Sequence, residues 1–305
     1  MGPGEPSKLP PMTGALHRLL GGVFDYAGLF PPAKLTMTEA VENFLRYRAG
    51  DEAWLLDRFV CTTSRLEELR QELSKHVIEE PVPVTVIGST GVEWGDGLVH
   101  DAEAMTRFIE RVGDQADIEA FEVRVPDHEN IQDYLRDLRS FNQVEVFCEL
   151  SWGPQVQDSL GLIAEQDWLG AKARTGGLDA AAFPSSEDLA AFIQQCVQLE
   201  LEFKLTAGLH HPYRSHREEV ETKMHGFLNV LGATALAQAN DLTSKETAEI
   251  LAAEDPAAFQ FTETAIKFGD WTADIEDIDD ARALFVGIGS CSIEEPLQDL
   301  REHNL

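Results

Sequence analysis

Two lysines stand inside apolar runs of this sequence. Lys172 lies in WLGAKART and Lys204 in LEFKLTAG, in a chain of 305 residues that has only 8 lysines against 16 arginines. A partly desolvated amine beside another cation holds its proton less tightly, and a neutral amine is the nucleophile that forms a Schiff base with a carbonyl compound. Such chemistry needs carboxylates to move protons. Glu122 in IEAFEVRV and Glu149 in VEVFCELS supply them, each also inside an apolar run. The structural alternative is that these charges simply pair, Glu149 with Lys172 for instance, or that one lysine snorkels outward between helices.

Side chains alternate along a strand, so residues of equal parity share a face. That rule groups Glu122 with Arg124, Glu145 with Glu149, Lys172 with Arg174, and Lys204 with Thr206. Both lysine runs end in glycine, as Thr175-Gly176-Gly177 and Ala207-Gly208, and a later run ends Gly287-Ile288-Gly289-Ser290-Cys291-Ser292. Glycine lets backbone N–H groups approach a ligand oxygen, although glycine after a strand is more often only a turn. Together these segments nominate Arg174, Thr175, Gly176, Gly177, Thr206, Gly289, Ser290 and Ser292 as substrate-binding residues, with Asp25, Tyr26 and Arg58 reaching in from earlier runs. Asp25 could equally cap Arg58 or Arg174.

His210 and His211 raise a second possibility, a metal held with His225, Glu149 or Glu122. Adjacent histidines on an extended segment point opposite ways, which favours one contacting a ligand and the other packing or facing solvent. A histidine at the site could also act as acid or base, or hold an anion. Cys291 could be a nucleophile, but a lone cysteine beside glycine and serine is more often small packing.

Positioning these residues requires a regular frame. Eight strand-like runs recur, near 23–29, 54–62, 82–89, 118–125, 144–151, 168–175, 201–208 and 283–290. Helix candidates lie between them at 36–48, 64–76, 101–112, 130–140, 186–199 and 244–253, several opening with Ser, Thr or Asp before an acid. The first seven runs start about 25–35 residues apart, the length of a βα unit. The predicted class is therefore α/β, a (β/α)8 TIM barrel whose catalytic groups sit at the C-terminal strand ends. A doubly wound open sheet is the alternative, but no GxGxxG opens a helix. The predicted organisation is a single domain over 1–305, with an N-terminal extension at 1–22 and a helical insertion at about 212–280 between strands seven and eight.

At the lysines the sequence resembles the deoxyribose-phosphate aldolase family, (β/α)8 lyases that work through a Schiff base. AKARTGG corresponds to that family's K-T-S-T-G, and FKLTAGL, 32 residues after Lys172, to its F-K-x-A/S-G-G. FDYAGLFPPAKLT, FCELSWG and GIGSCSI echo its strands one, five and eight in the same order. The resemblance implies that Lys172 forms the imine, that Lys204 tunes it, and that the acid on strand four is Glu122 or, with a one-step change of register, Glu119. Arg174 departs from the family pattern, and Leu209-His210-His211-Pro212 replaces its glycine-rich phosphate loop. Arg174 is therefore expected to hold the substrate's carboxylate or phosphate.

Composition limits the partners. The 54 acidic against 24 basic residues give a formal net charge of −30. No basic cluster offers the phosphate contacts that nucleic acid or an anionic membrane would need. Few lysines and many acids suit a strongly hydrated, salt-adapted surface, or simply an acidic cytosolic enzyme. The N-terminal 22 residues do not have the form of a signal peptide, no stretch is apolar enough to span a bilayer, and four scattered cysteines fit reduced thiols. The expectation is a cytoplasmic protein with no cofactor, acting on a small anionic substrate, with homo-oligomerisation left open. Three function classes stand: a Schiff-base lyase, a metal-dependent barrel enzyme using His210 and His211, and a non-catalytic barrel that binds a small ligand.

Overall fold

The computed structural model describes residues 14–51, 53–90, 94–126, 130–177, 179–303 and 305. Most of the expected 1–22 extension lies outside these residues; its described end forms α1 (Ala15–Leu20). Strands and helices then alternate: β1 (Phe24–Tyr26), α2 (Met37–Arg48), β2 (Leu56–Thr62), α3 (Leu66–Leu73), β3 (Val82–Ile87) and α4 (Trp94–Val112). They continue as β4 (Ala116–Arg124), α5 (Ile131–Asp137), β5 (Glu145–Leu150), α6 (Val156–Ala164), β6 (Leu169–Arg174), α7 (Ser186–Gln198) and β7 (Phe203–Thr206).

The stretch after β7 breaks the rhythm. It holds a hairpin of β8 (Ser215–Arg217) and β9 (Thr222–Met224), then α8 (Phe227–Ala239) and α9 (Ser244–Ala252). A three-stranded antiparallel sheet follows, β10 (Phe259–Phe261), β11 (Ala265–Phe268) and β12 (Trp271–Asp274), and then α10 (Ile275–Leu284). Last come β13 (Phe285–Ser290) and α11 (Glu294–Glu302). The stretch thus carries strands as well as helices.

Eight parallel strands close the barrel in the order β1-β13-β7-β6-β5-β4-β3-β2. The expected (β/α)8 architecture is the one observed. Several of its helices begin where the sequence supplies caps. Thr36 and Glu39 form a reciprocal capping box on α2, Thr243 and Glu246 one on α9, and Asp274 and Asp277 one on α10. Helix α8 is buried from Phe227 through Ala237, so it is apolar all round rather than amphipathic. Its buried amide, Asn229, is satisfied by donating to the carbonyls of Ile250 and Ala253. Among the described residues no helix is long and apolar enough to cross a membrane. All four cysteines are buried and unpaired.

Candidate active site

The barrel interior holds a chain of alternating charges drawn from five strands. Lys172 Nζ on β6 lies 2.9 Å from Glu149 on β5 and 2.6 Å from Glu122 on β4. The other oxygen of Glu122 is 3.0 Å from Lys204 on β7, and Lys204 in turn pairs with Asp25 on β1. Asp25 also accepts from the Thr85 hydroxyl at 3.2 Å and the Arg58 backbone N–H at 3.3 Å. Lys172 is 3% exposed and Lys204 0%, so neither ion pair is a surface contact.

Small residues make room for these side chains. Gly170, two residues before Lys172, lies against Phe147; a Cβ there would meet the ring at 2.6 Å. The Lys204 ammonium sits 5.1 Å from the centre of that same ring. Gly287 on β13 is the register partner of Lys204. A Cβ on Gly287 would lie 3.7 Å from Lys204 Cε and 3.9 Å from Asp25 Oδ1. On β4, Ile118 is in register with Val84 and Ala120 with Thr85, which makes Glu119 an extra residue. One inserted residue reverses the facing of those after it, and this resolves the choice between the two acids. Glu122 reaches the lysines, whereas Glu119 lies 2.9 Å from Arg58.

The protonation states correct one expectation. Burial alone would lower both lysine pKa values, but the carboxylates of Glu122 and Glu149 outweigh it at Lys172, and those of Asp25 and Glu122 outweigh it at Lys204. Both ammoniums are therefore held above the usual lysine range, not below it. Burial also works against ionised Glu122, yet the two lysines override it and hold this carboxyl well below the usual carboxylate range. Three carboxylates among two lysines decide the sign.

Above this layer, at the C-terminal ends of the strands, stand two exposed arginines. Arg124 is the register partner of Glu149 and Arg174 that of Thr206. Among the described residues neither arginine pairs with a carboxylate; Arg124 donates only to the Ser151 hydroxyl at 3.3 Å. The Arg174 carbonyl accepts from the Trp152 indole at 2.6 Å, which fixes the end of β6. The Thr206 hydroxyl is buried and has no hydrogen-bond partner among the described residues. No family model matches this chain, and no curated protein is similar to it.

Several nominated residues serve the scaffold. Thr175 donates to the Ala207 carbonyl at 2.5 Å, and a Cβ on Gly176 would lie 2.8 Å from Gly208 Cα. The glycines after β6 and β7 thus let two loops pack on each other, with Gly208 at φ +75°. Gly177 closes on Ala182, and Gly289 on the methyl of Thr206. Ser290 donates to the Ser292 carbonyl at 2.6 Å, and the Ser292 hydroxyl accepts from the Glu295 N–H at the start of α11.

His210 and His211 go to different acids of α11, His210 to Glu295 at 3.0 Å and His211 to Asp299. They bind the loop after β7 to that helix. His225 lies apart from them in bonding: it donates to the Pro184 carbonyl and accepts from Arg214, each at 2.9 Å. Among the described residues no three His, Cys, Asp or Glu side chains are grouped to hold a metal ion.

Arg58 was expected at the mouth with Asp25. Its side chain instead runs to Glu119 and Glu145, the latter the first residue of β5, both at 2.9 Å. It therefore belongs to the opposite end of the barrel. Tyr26 faces away from the mouth, packed among Phe44, Tyr47 and Phe59. Burial pushes the Cys291 thiol up, which leaves little thiolate for nucleophilic attack. Two polar residues escaped the sequence reading as site members. Arg124 had a signal, its shared face with Glu122, whereas Thr85 had none.

Proposed function

We propose that the protein is a Schiff-base-forming lyase of the aldolase type, acting on a small anionic carbonyl compound. The observation that carries this reading is Glu122, which lies between two buried lysines at 2.6 and 3.0 Å. Lys172 is the nucleophile. It starts as an ammonium, and Glu149 or Glu122 takes its proton as the amine attacks the carbonyl carbon. The carbon–nitrogen bond forms, the carbonyl oxygen leaves as water with two protons, and the product is a protonated imine. Ammonium and imine carry the same charge, so the acids that pair with Lys172 also stabilise the intermediate.

In cleavage the protonated imine accepts the electron pair of the breaking carbon–carbon bond and becomes an enamine, while a carboxylate takes the proton of the substrate hydroxyl. In synthesis a carboxylate removes an α-proton from the imine, and the resulting enamine gives its pair to the bond that forms. Glu149 is nearest the mouth and is placed to return the proton. Lys204 shares Glu122 and so weakens that acid's hold on Lys172. Arg174, which has no carboxylate partner among the described residues, holds the substrate's anionic group at the end of β6. The resemblance of AKARTGG and FKLTAGL to deoxyribose-phosphate aldolases points the same way.

The near-complete burial of Lys172 favours a second reading, in which the charge chain only fastens a ligand-binding barrel. One experiment separates them. The protein is incubated with acetaldehyde or pyruvate, reduced with borohydride, and mapped by peptide mass. The lyase reading expects an adduct on Lys172 that is lost in Lys172→Arg. No adduct with any short aldehyde or 2-oxo acid overturns it.

A further inference from the structure

Beside the barrel mouth lies a groove of about 1020 Å³, enclosed by the ends of β3, β4 and β5 and by α4, α5 and α6. This is at the upper end of what a small-molecule pocket occupies, about 300–1,000 Å³. It is far larger than a short aldehyde needs. Its floor is apolar, with Val123 and Leu150, and its walls are aromatic, with Trp94, Tyr134 and Trp152. Trp94 and Tyr134 are already tilted against each other at 5.6 Å.

Among the described residues charge is asymmetric in this groove. Asp101, the acid among the lining residues, is 2% exposed and already accepts from Thr63 and twice from Ser89. Arg124, the lining cation, is exposed and among the described residues has no carboxylate partner. In a chain of net charge −30 an exposed arginine that has no carboxylate partner among the described residues, beside aromatic walls, suits an anion that carries a ring. The groove also meets the charge chain. Arg124 is in register with Glu149, and Glu149 touches Lys172 at 2.9 Å. On its own strand Arg124 is two residues beyond Glu122, about 6–7 Å along the chain.

We infer that this groove is a substrate subsite, and that the carbonyl compound is an aryl-substituted 2-oxo acid or an aldol of one. The carboxylate is held jointly by Arg174 and Arg124, the latter between the groove and Lys172, and the ring stacks on Trp94. This rests on the lyase reading for the chemistry at Lys172, but the groove makes its own demand on binding.

The test compares phenylpyruvate with pyruvate by isothermal titration calorimetry on the full chain. The expected result is phenylpyruvate bound at least about tenfold more tightly, roughly the worth of one stacked ring. Trp94→Ala abolishes the preference, Trp94→Phe keeps it, and Arg124→Gln weakens both acids about tenfold. Far-ultraviolet circular dichroism confirms that each variant is folded. Equal affinity in the unaltered protein, or a preference that survives in folded Trp94→Ala, overturns the inference. Borohydride trapping with acetaldehyde, which is too small to need the groove, separates the two failures. An adduct with equal affinities removes the groove and leaves the lyase. A ring preference without any adduct removes the lyase and leaves the groove as a binding site.

Discussion

Replacing Lys204 with methionine tests the charge chain most directly. The substitution preserves volume and removes one ammonium that is 0% exposed. Asp25, 1% exposed, keeps only its bonds from Thr85 and the Arg58 amide, while Glu122 keeps Lys172. Stranding a buried charge in this way costs about 3–5 kcal/mol, against about 0–1 kcal/mol for an exposed pair. Urea unfolding followed by tryptophan fluorescence at pH 7 measures the loss as a shift in midpoint at constant slope. Adding Asp25→Asn removes the stranded charge, so the double variant recovers most of the loss. The deficit also depends on pH. The lysines hold the Glu122 pKa below its unfolded value, so their contribution is fully present above about pH 4.3. It fades as pH falls through the folded value, and the deficit shrinks with it. A cost below about 1 kcal/mol at pH 7, or no recovery in the double variant, refutes the charge-chain account.

Other perturbations reach different parts of the molecule. Burial, with Arg214 adding to it, pushes His225 down to about 4. The unfolded chain therefore binds one more proton between that value and about pH 6.5, and stability falls by roughly 3 kcal/mol as pH drops through this window. His225→Asn flattens this part of a stability–pH curve measured by urea titration. Asp57 behaves oppositely, because burial and the Asp25 carboxylate raise it to about 6. Asp57→Asn should stabilise the protein by about 1–2 kcal/mol at pH 7, with the gain vanishing below about pH 4, and thermal melts across that range check it. Arg174→Ala should raise KM for a short 2-oxo acid about tenfold to hundredfold, the worth of a charge-assisted hydrogen bond. Unchanged KM in steady-state kinetics would remove Arg174 from the site.

Much of the fold was legible because barrel strands interrupt polar helices at a regular spacing. The predicted runs at 54–62 and 168–175 appear as Leu56–Thr62 and Leu169–Arg174. The extra residues of α4, which begins at Trp94 rather than near 101, were hidden because Gly95 and Gly97 weaken the helical pattern. The small sheet from Phe259 to Asp274 was hidden by strands of only three or four residues. In the site, Lys172, Lys204, Glu122 and Glu149 stood out as charges inside apolar runs. What they do to one another did not, because Glu122 on β4 meets Lys204 on β7 across the closed barrel, without being its neighbour in the sheet. That geometry also reverses the expected direction of the lysine shifts. Arg58 was misplaced because parity tells which face a residue takes, not which end of the barrel its long side chain follows.

Asp25 and Lys204 are 179 residues apart, and the strand between them in the sheet is β13. During synthesis β1 and β7 both emerge well before Phe285, so each presents an unpaired edge while the chain of α8, α9 and α10 is still being made. Open edges invite pairing with other chains. A strand whose Gly287 stands between Lys204 and Asp25 can enter that gap without displacing either side chain. The last barrel strand to be synthesised thus closes both edges at once, and a chain shortened before it would keep the acids and lysines but lose the enclosure that brings them together.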